Sequence, residues 1–166
     1  MNNSSEILNS QTEIERKFLI KKAPDDLDKF KSYEILQGYI IITKAGTELR
    51  LRQKGDKYFQ TIKSGEGLVR KETEIELTAD QFRKLWSLTG RKRLRKKRYE
   101  IQYEDMMIEL DIYDEPFKGL ITVEVEFKTV ADSEQFSLPN WFGKEITNDE
   151  RFKNRNLAKY GIPAKL

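Results

Sequence analysis

The chain has 166 residues, of which 37% are hydrophobic and 36% charged, and its formal net charge is +3. That length suits one domain with a real core, and its charged share exceeds the roughly 25% usual in globular domains although the two signs almost cancel. Cysteine and histidine are both absent, which excludes disulfides, thiolate zinc sites and imidazole as base or ligand.

Chemistry is therefore left to carboxylates, Lys, Arg, Tyr, Ser and Thr, and any bound metal should be a hard ion such as Mg²⁺ or Mn²⁺. No apolar run approaches the roughly 20 residues that span a bilayer. The leader Met1–Gln11 lacks the basic start and apolar middle of a signal peptide. A cytoplasmic protein is expected, with a tail over residues 1–11, a single domain over 12–166 and no membrane contact.

Strand signals recur with short breaks. Thr12–Ile20 comes first, and Tyr33–Thr43, rich in Ile and Tyr, follows. Leu49–Gln53 and Tyr58–Lys63 flank a tight hairpin with Gly55 and Asp56 at its tip. Ser64–Gly67 turns the chain into Leu68–Leu77. Arg93–Tyr103 and Met106–Tyr113 flank Glu104 and Asp105, a second hairpin, and Gly119–Val130 is the eighth strand. Pro24–Lys31 reads as a short helix. Ala79–Thr89 carries the strongest helix signals: Thr78 and Gln81 match a capping box, Phe82, Leu85 and Trp86 form an apolar stripe, and Gly90 stands at the stop. Asp132–Phe136 and Lys153–Tyr160 are weaker helical segments.

The strands share a pattern. One parity carries Glu13, Glu15 and Lys17; Arg50 and Arg52; Thr61 and Lys63; Arg70, Glu72, Glu74 and Glu76; Lys96, Arg98 and Glu100; Glu109 and Asp111; Thr122, Glu124 and Glu126. The other parity is mostly apolar. A sheet with one wet face produces such alternation, but a wet face would use more Thr and Ser, because Asp and Glu are disfavoured in strands. Eight apolar strand faces also need more cover than these helices supply. An α+β, mainly β fold follows: an eight-stranded antiparallel closed barrel, with helices packed outside and charged side chains lining a tunnel. Such an interior is tolerable only if its charges pair, stay hydrated or meet a ligand. Bases there suit an oligoanion, and acids suit divalent cations bridging to it.

These residues resemble a known family. Glu13–Lys17 fits its ExExK signature, with Glu13, Glu15 and Lys17 at the fixed positions. Glu48–Arg52, Thr61–Glu74, Lys96–Tyr99, Ile108–Tyr113 and Leu120–Phe127 follow in the expected order, and Trp141–Thr147 and Arg151–Asn154 resemble its C-terminal segment. The chain is similar to CYTH-domain proteins, the triphosphate tunnel metalloenzymes of the short bacterial type.

The resemblance implies an eight-stranded barrel and hydrolysis of a triphosphate with Mg²⁺ or Mn²⁺, two ions taking part. It places Glu13, Glu15, Glu124 and Glu126 at the metals, assisted by Asp111, Glu109, Glu72 and Glu74. Lys17, Arg50, Arg52, Lys63, Lys96 and Arg98 are the matching phosphate clamps, because Arg grips two oxygens in a fork and Lys acts as a point charge. Glu15 and Lys96 are candidate catalytic groups. Tyr39 either reaches the tunnel to assist Lys96 or packs at core or rim. The short bacterial relatives are tripolyphosphatases; class IV-type adenylate cyclase and thiamine triphosphatase are the alternatives on the same tunnel. The basic run Arg91–Arg98 raises the thought of nucleic acid, but the near-balanced charge argues against that partner. Homodimers are common in the family.

Overall fold

The computed structural model describes residues 14–64 and 71–164. The tail over residues 1–11, Glu13, and the start of the fifth predicted strand with Arg70 lie outside the described residues. Eight strands are present: β1 (Ile14–Leu19), β2 (Lys31–Ile42), β3 (Glu48–Lys54), β4 (Lys57–Ser64), β5 (Lys71–Leu77), β6 (Arg93–Tyr103), β7 (Met106–Tyr113) and β8 (Ile121–Phe127). They form one antiparallel sheet in the order β1-β8-β7-β6-β2-β3-β4-β5. Both predicted hairpins are two-residue turns. Gly55, at φ +60°, supplies the left-handed backbone in one, and Glu104, at φ +51°, in the other.

Three α-helices accompany the sheet: α1 (Ala79–Trp86), α2 (Val130–Gln135) and α3 (Asn154–Tyr160). The capping box of Thr78 and Gln81 starts α1. A second box, Thr129 with Asp132, starts α2 and ends β8 earlier than expected. The segment expected as a helix over Pro24–Lys31 holds only a 3-10 turn, Leu27–Lys29. Among the described residues no helix is long and apolar enough to cross a membrane.

Alternation gives the sheet two chemically distinct faces. The apolar face of β1, β7 and β8 carries Phe18, Ile108, Leu110, Val123 and Val125 and is covered by Phe136, Trp141 and Phe142. On the same side, Trp86 and Thr89 lie so close to Gly38 that a Cβ there would stand 2.8 Å from Thr89 Cγ2. Glycine is what lets α1 and its trailing 3-10 turn seat on β2. The other face curls into a trough: side chains from all eight strands line one cavity of about 1700 Å³.

One expectation is met only in part and one is corrected. The cylinder is not closed among the described residues, because β1 and β5 do not pair. The free edge of β1 is taken by the C-terminal segment instead. Leu19 N donates to Lys144 O at 2.9 Å, Gly143 N to Leu19 O at 2.8 Å and Ile146 N to Lys17 O at 2.8 Å, and Lys17 N donates to Thr147 Oγ1. Arg16 locks this segment with a fork to Glu145, at 3.0 and 2.7 Å. Nor do all helices pack outside. Leu157 and Ala158 of α3 share a core with Tyr39, Leu94 and Tyr113. Register places Tyr39 opposite Arg50 and Tyr113 opposite Lys96, so these are trough-side residues. The trough is apolar at that end, and α3 covers it.

Gly143 tests the edge arrangement. A Cβ there would lie 2.5 Å from the backbone oxygen of Leu19, and a strand carbonyl cannot swing aside as a side chain can. Gly143→Ala should destabilise the protein by about 1–3 kcal/mol, as overpacking does. The measurements are a lowered urea midpoint and faster hydrogen exchange at the Leu19 amide.

Candidate active site

The trough brings together charged groups that lie far apart in the chain. On the β1, β6, β7 and β8 side, Arg98 is the hub. Its Nε donates to Asp111 Oδ1 at 2.7 Å, one terminal nitrogen reaches Asp111 Oδ2 at 2.7 Å and Glu124 Oε2 at 2.9 Å, and the other bonds Glu109. Lys96 donates to Asp111, and Lys17 pairs with Glu124 at 2.8 Å. Asp111 and Lys96 are 0% and 1% exposed. The sheet register explains the convergence, since Lys17 faces Glu124 across β1–β8 and Arg98 faces Asp111 across β6–β7.

Burial opposes ionisation at these acids, but the neighbouring cations win. Arg98 and Lys96 hold the Asp111 carboxyl below the usual carboxylate range. Lys17, Lys96 and Arg98 hold that of Glu124 well below it. Burial also works against the Lys17 ammonium, and Glu124 outweighs it, so its pKa is raised.

The β3–β5 side is assembled differently. Arg50 donates to Thr61 Oγ1 at 3.2 Å and lies 3.5 Å from Glu72 and 3.7 Å from Glu74. Arg52 reaches Glu74 at 3.0 Å, Thr61 donates to Glu74 at 2.7 Å, and Lys63 pairs with Glu72 at 2.5 Å.

Glu15 and Glu126 stand directly opposite each other on β1 and β8, both exposed and both lining the cavity. Like charges in that register repel, and an all-oxygen donor pair suits a hard divalent cation in kind. Among the described residues, however, no three acids converge into a ready-made cation cage. Asp111, Glu109 and Glu124 are drawn onto Arg98, and Glu72 and Glu74 onto Arg50, Arg52 and Lys63. Glu13 lies outside the described residues.

Tyr39 is not among the groups lining the cavity. It is buried at the α3 end, and its hydroxyl accepts a hydrogen bond from Gln37 Nε2 at 2.5 Å. Burial, then the Glu48 charge, push its pKa up, which favours the protonated phenol. Arg93, Arg95 and Lys97 point away from the trough: Arg93 packs over Trp86, and Arg95 pairs with Glu34 and Asp114.

Several lining residues had no assigned role. Glu48 and Lys54 continue the parity of Arg50 and Arg52, and Lys54 pairs with Glu100 at 2.7 Å, so alternation alone was enough to find them. Arg155 of α3 also lines the cavity, 3.5 Å from Glu48 and 2.8 Å from Glu150. No strand pattern reaches it, and the C-terminal similarity over Arg151–Asn154 stops one residue short of it.

The CYTH domain family matches residues 11–154. The chain belongs to that family. An inorganic triphosphatase of Nitrosomonas europaea is 43% identical over 148 residues, 89% of this chain and 97% of that protein. One from Acetivibrio thermocellus is 33% identical over 150 residues, 89% and 93% of the two chains. A crystal structure of an inorganic triphosphatase superposes with a TM-score of 0.69 at 40% identity, covering 89% of this chain and 95% of that one.

The paired charges make a direct stability test. Asp111→Ala leaves Lys96 and Arg98 buried without their main counter-charge, and breaking a buried pair from one side costs about 3–5 kcal/mol. A urea titration should show a loss of that order. Thr122 also lies in the trough, opposite Asp111 across β7–β8, yet Thr122→Val should cost far less because it strands no charge.

Proposed function

We propose that this CYTH protein is a divalent-cation-dependent hydrolase of inorganic tripolyphosphate or a closely related triphosphate, acting in the charged trough. The observation that carries this reading is the convergence of Lys17, Arg50, Arg52, Lys63, Lys96 and Arg98 on one cavity whose remaining lining is rich in carboxylates. The two inorganic triphosphatases aligned over most of their length support it.

The reaction forms a bond from water oxygen to the terminal phosphorus and breaks the anhydride P–O bond, giving phosphate and diphosphate. Charge spreads over the phosphoryl oxygens in the transition state, so catalysis is chiefly positioning and electrostatic stabilisation. Arg50, Arg52 and Lys63 hold the oxygens of the chain by charge-assisted hydrogen bonds. Lys96 and Arg98, fixed by Asp111, present positive charge that needs no reorganisation when the bond breaks. Glu15 and Glu126, with Glu124 and Glu109 beside them and Glu13 just upstream, are the groups that would hold Mg²⁺ or Mn²⁺. Asp111 works through Lys96 and Arg98. A divalent cation bound there supplies neutralisation of phosphate charge and acidification of water. Tyr39 serves as buried wall behind Arg50. The single domain over 12–166, a location in cytoplasm and a homodimer belong to the same reading.

Purified protein supplied with Mg²⁺ or Mn²⁺ should release phosphate from tripolyphosphate faster than from ATP or thiamine triphosphate, and a chelator should abolish release. Cyclic AMP as the main product from ATP would replace this reading with that of a cyclase. Glu15→Gln should reduce turnover by about a hundredfold, the scale on which groups around a metal act, while the unfolding midpoint stays within about 0.5 kcal/mol of the wild type.

A further inference from the structure

The two sides of the trough are bonded unequally. Arg98 uses Nε and both terminal nitrogens on three carboxylates. On the β3–β5 side the Nε atoms of Arg50 and Arg52 are buried and donate to nothing, although Arg50 is only 8% exposed. A buried N–H without an acceptor is destabilising, so the forks of Arg50 and Arg52 carry unused donor capacity. Their acids are also stretched thin. Glu74 accepts from Thr61 and from Arg52 and stands 3.7 Å from Arg50, while Glu72 serves Lys63 and stands 3.5 Å from Arg50. Burial, then the neighbouring Arg50 charge, lower the pKa of Arg52, whereas at Arg50 burial is outweighed by the charges of Tyr39, Glu72, Glu48 and Glu74, which raise its pKa.

The geometry of the acids matches what they would yield to. Glu72 and Glu74 are two residues apart on one face of β5, which puts them about 6–7 Å apart along the strand. That is comparable to the separation of the end phosphates of a linear triphosphate. Among the described residues they lie on the edge strand, hydrogen-bonded on one side by β4, whereas the acids around Arg98 sit on β7 and β8, each paired on both sides.

We propose that Glu72 and Glu74 are built-in counter-anions of the phosphate clamp, which hold Arg50, Arg52 and Lys63 converged on the cavity and release them to the phosphate oxygens of an incoming linear oligophosphate. This rests on the triphosphatase reading above. In this role the two acids are positioning residues and competitors of the substrate, not metal ligands. Phosphate oxygens bring more charge and more acceptors than one carboxylate, so they win the exchange, and the spare Nε donors are filled in the complex.

The test is calorimetric titration of tripolyphosphate into wild type, Glu74→Gln and Glu72→Gln in the presence of EDTA, with thermal unfolding as a check on folding. Gln keeps the shape and an acceptor oxygen but removes the competing charge. Tripolyphosphate should bind each variant about tenfold more tightly than wild type, the equivalent of one 1.4 kcal/mol interaction. In turnover assays KM should fall more than kcat changes, and the Mg²⁺ concentration for half-maximal rate should stay put. Weaker metal-free binding, or a raised Mg²⁺ requirement, would overturn the proposal and leave the hydrolase reading standing. A wild-type protein that neither binds nor cleaves tripolyphosphate would overturn both. If Glu74→Gln does not fold, Glu72→Gln reads the same competition through Lys63 and Arg50.

Discussion

A buried ammonium or guanidinium group is tolerated only against an opposite charge that is equally well placed, because desolvation costs several kcal/mol per ion. Lys96 is as inaccessible as Ile35 beside it, and Asp111 is wholly inaccessible. Together with Arg98 they form a pair of cations clamped on one carboxylate, with Glu124 and Lys17 continuing the chain to β1. These links run crosswise through β6, β7, β8 and β1, so each strand must keep its register for its neighbour's charge to be satisfied. A slip of one residue would turn every trough-side charge onto the apolar face. The polar network therefore specifies the register of the same strands that the core of Phe18, Leu110 and Val123 holds by burial.

This coupling also sets the shape. Cations lining a concave surface repel one another, and acids interleaved among them remove that penalty and keep the net charge near zero. Where interleaving is complete, around Arg98, each of the three guanidinium nitrogens already has a carboxylate partner. Where it is incomplete, around Arg50 and Arg52, donors remain. One wall is built to hold its geometry, the other to change partners, and both are needed to seize a polyanion and stabilise charge that moves during bond cleavage.

Much of this was legible in the chain. Alternation located all eight strands and put the charged parity on one face. The hairpins at Gly55–Asp56 and Glu104–Asp105 and the capping box at Thr78 followed from local chemistry. What failed was non-local. Closure looked necessary because eight apolar faces needed cover, yet the loop bearing Trp141 and Phe142 covers the β1, β7 and β8 part of that face, and Gly143–Thr147 takes the β1 edge. Tyr39 shares the parity of Gln37, so nothing in the pattern says it ends under α3. The bulge between Tyr39 and Ile41, which returns Ile41 to face Leu49, is equally silent in the alternation. Among the described residues most of the acids named as possible metal ligands pair with Arg or Lys in the trough, a contact that acid counts cannot show.

The C-terminal segment then decides how the trough can be reached. At the α3 end, Leu157 and Ala158 pack on Leu94, Tyr39 and Tyr113, and Tyr113 donates to Asn154 Oδ1 at 2.7 Å. That end is covered by α3 and carries an apolar patch beside the charged side chains of Glu48 and Arg155. The lining at the other end includes Glu104 and Asp105 of the β6–β7 hairpin, Lys128 before α2 and Gln135 at the end of α2. On the reading proposed above, a linear anion entering from there would lie between Arg50, Arg52 and Lys63 on one wall and Lys96 and Arg98 on the other.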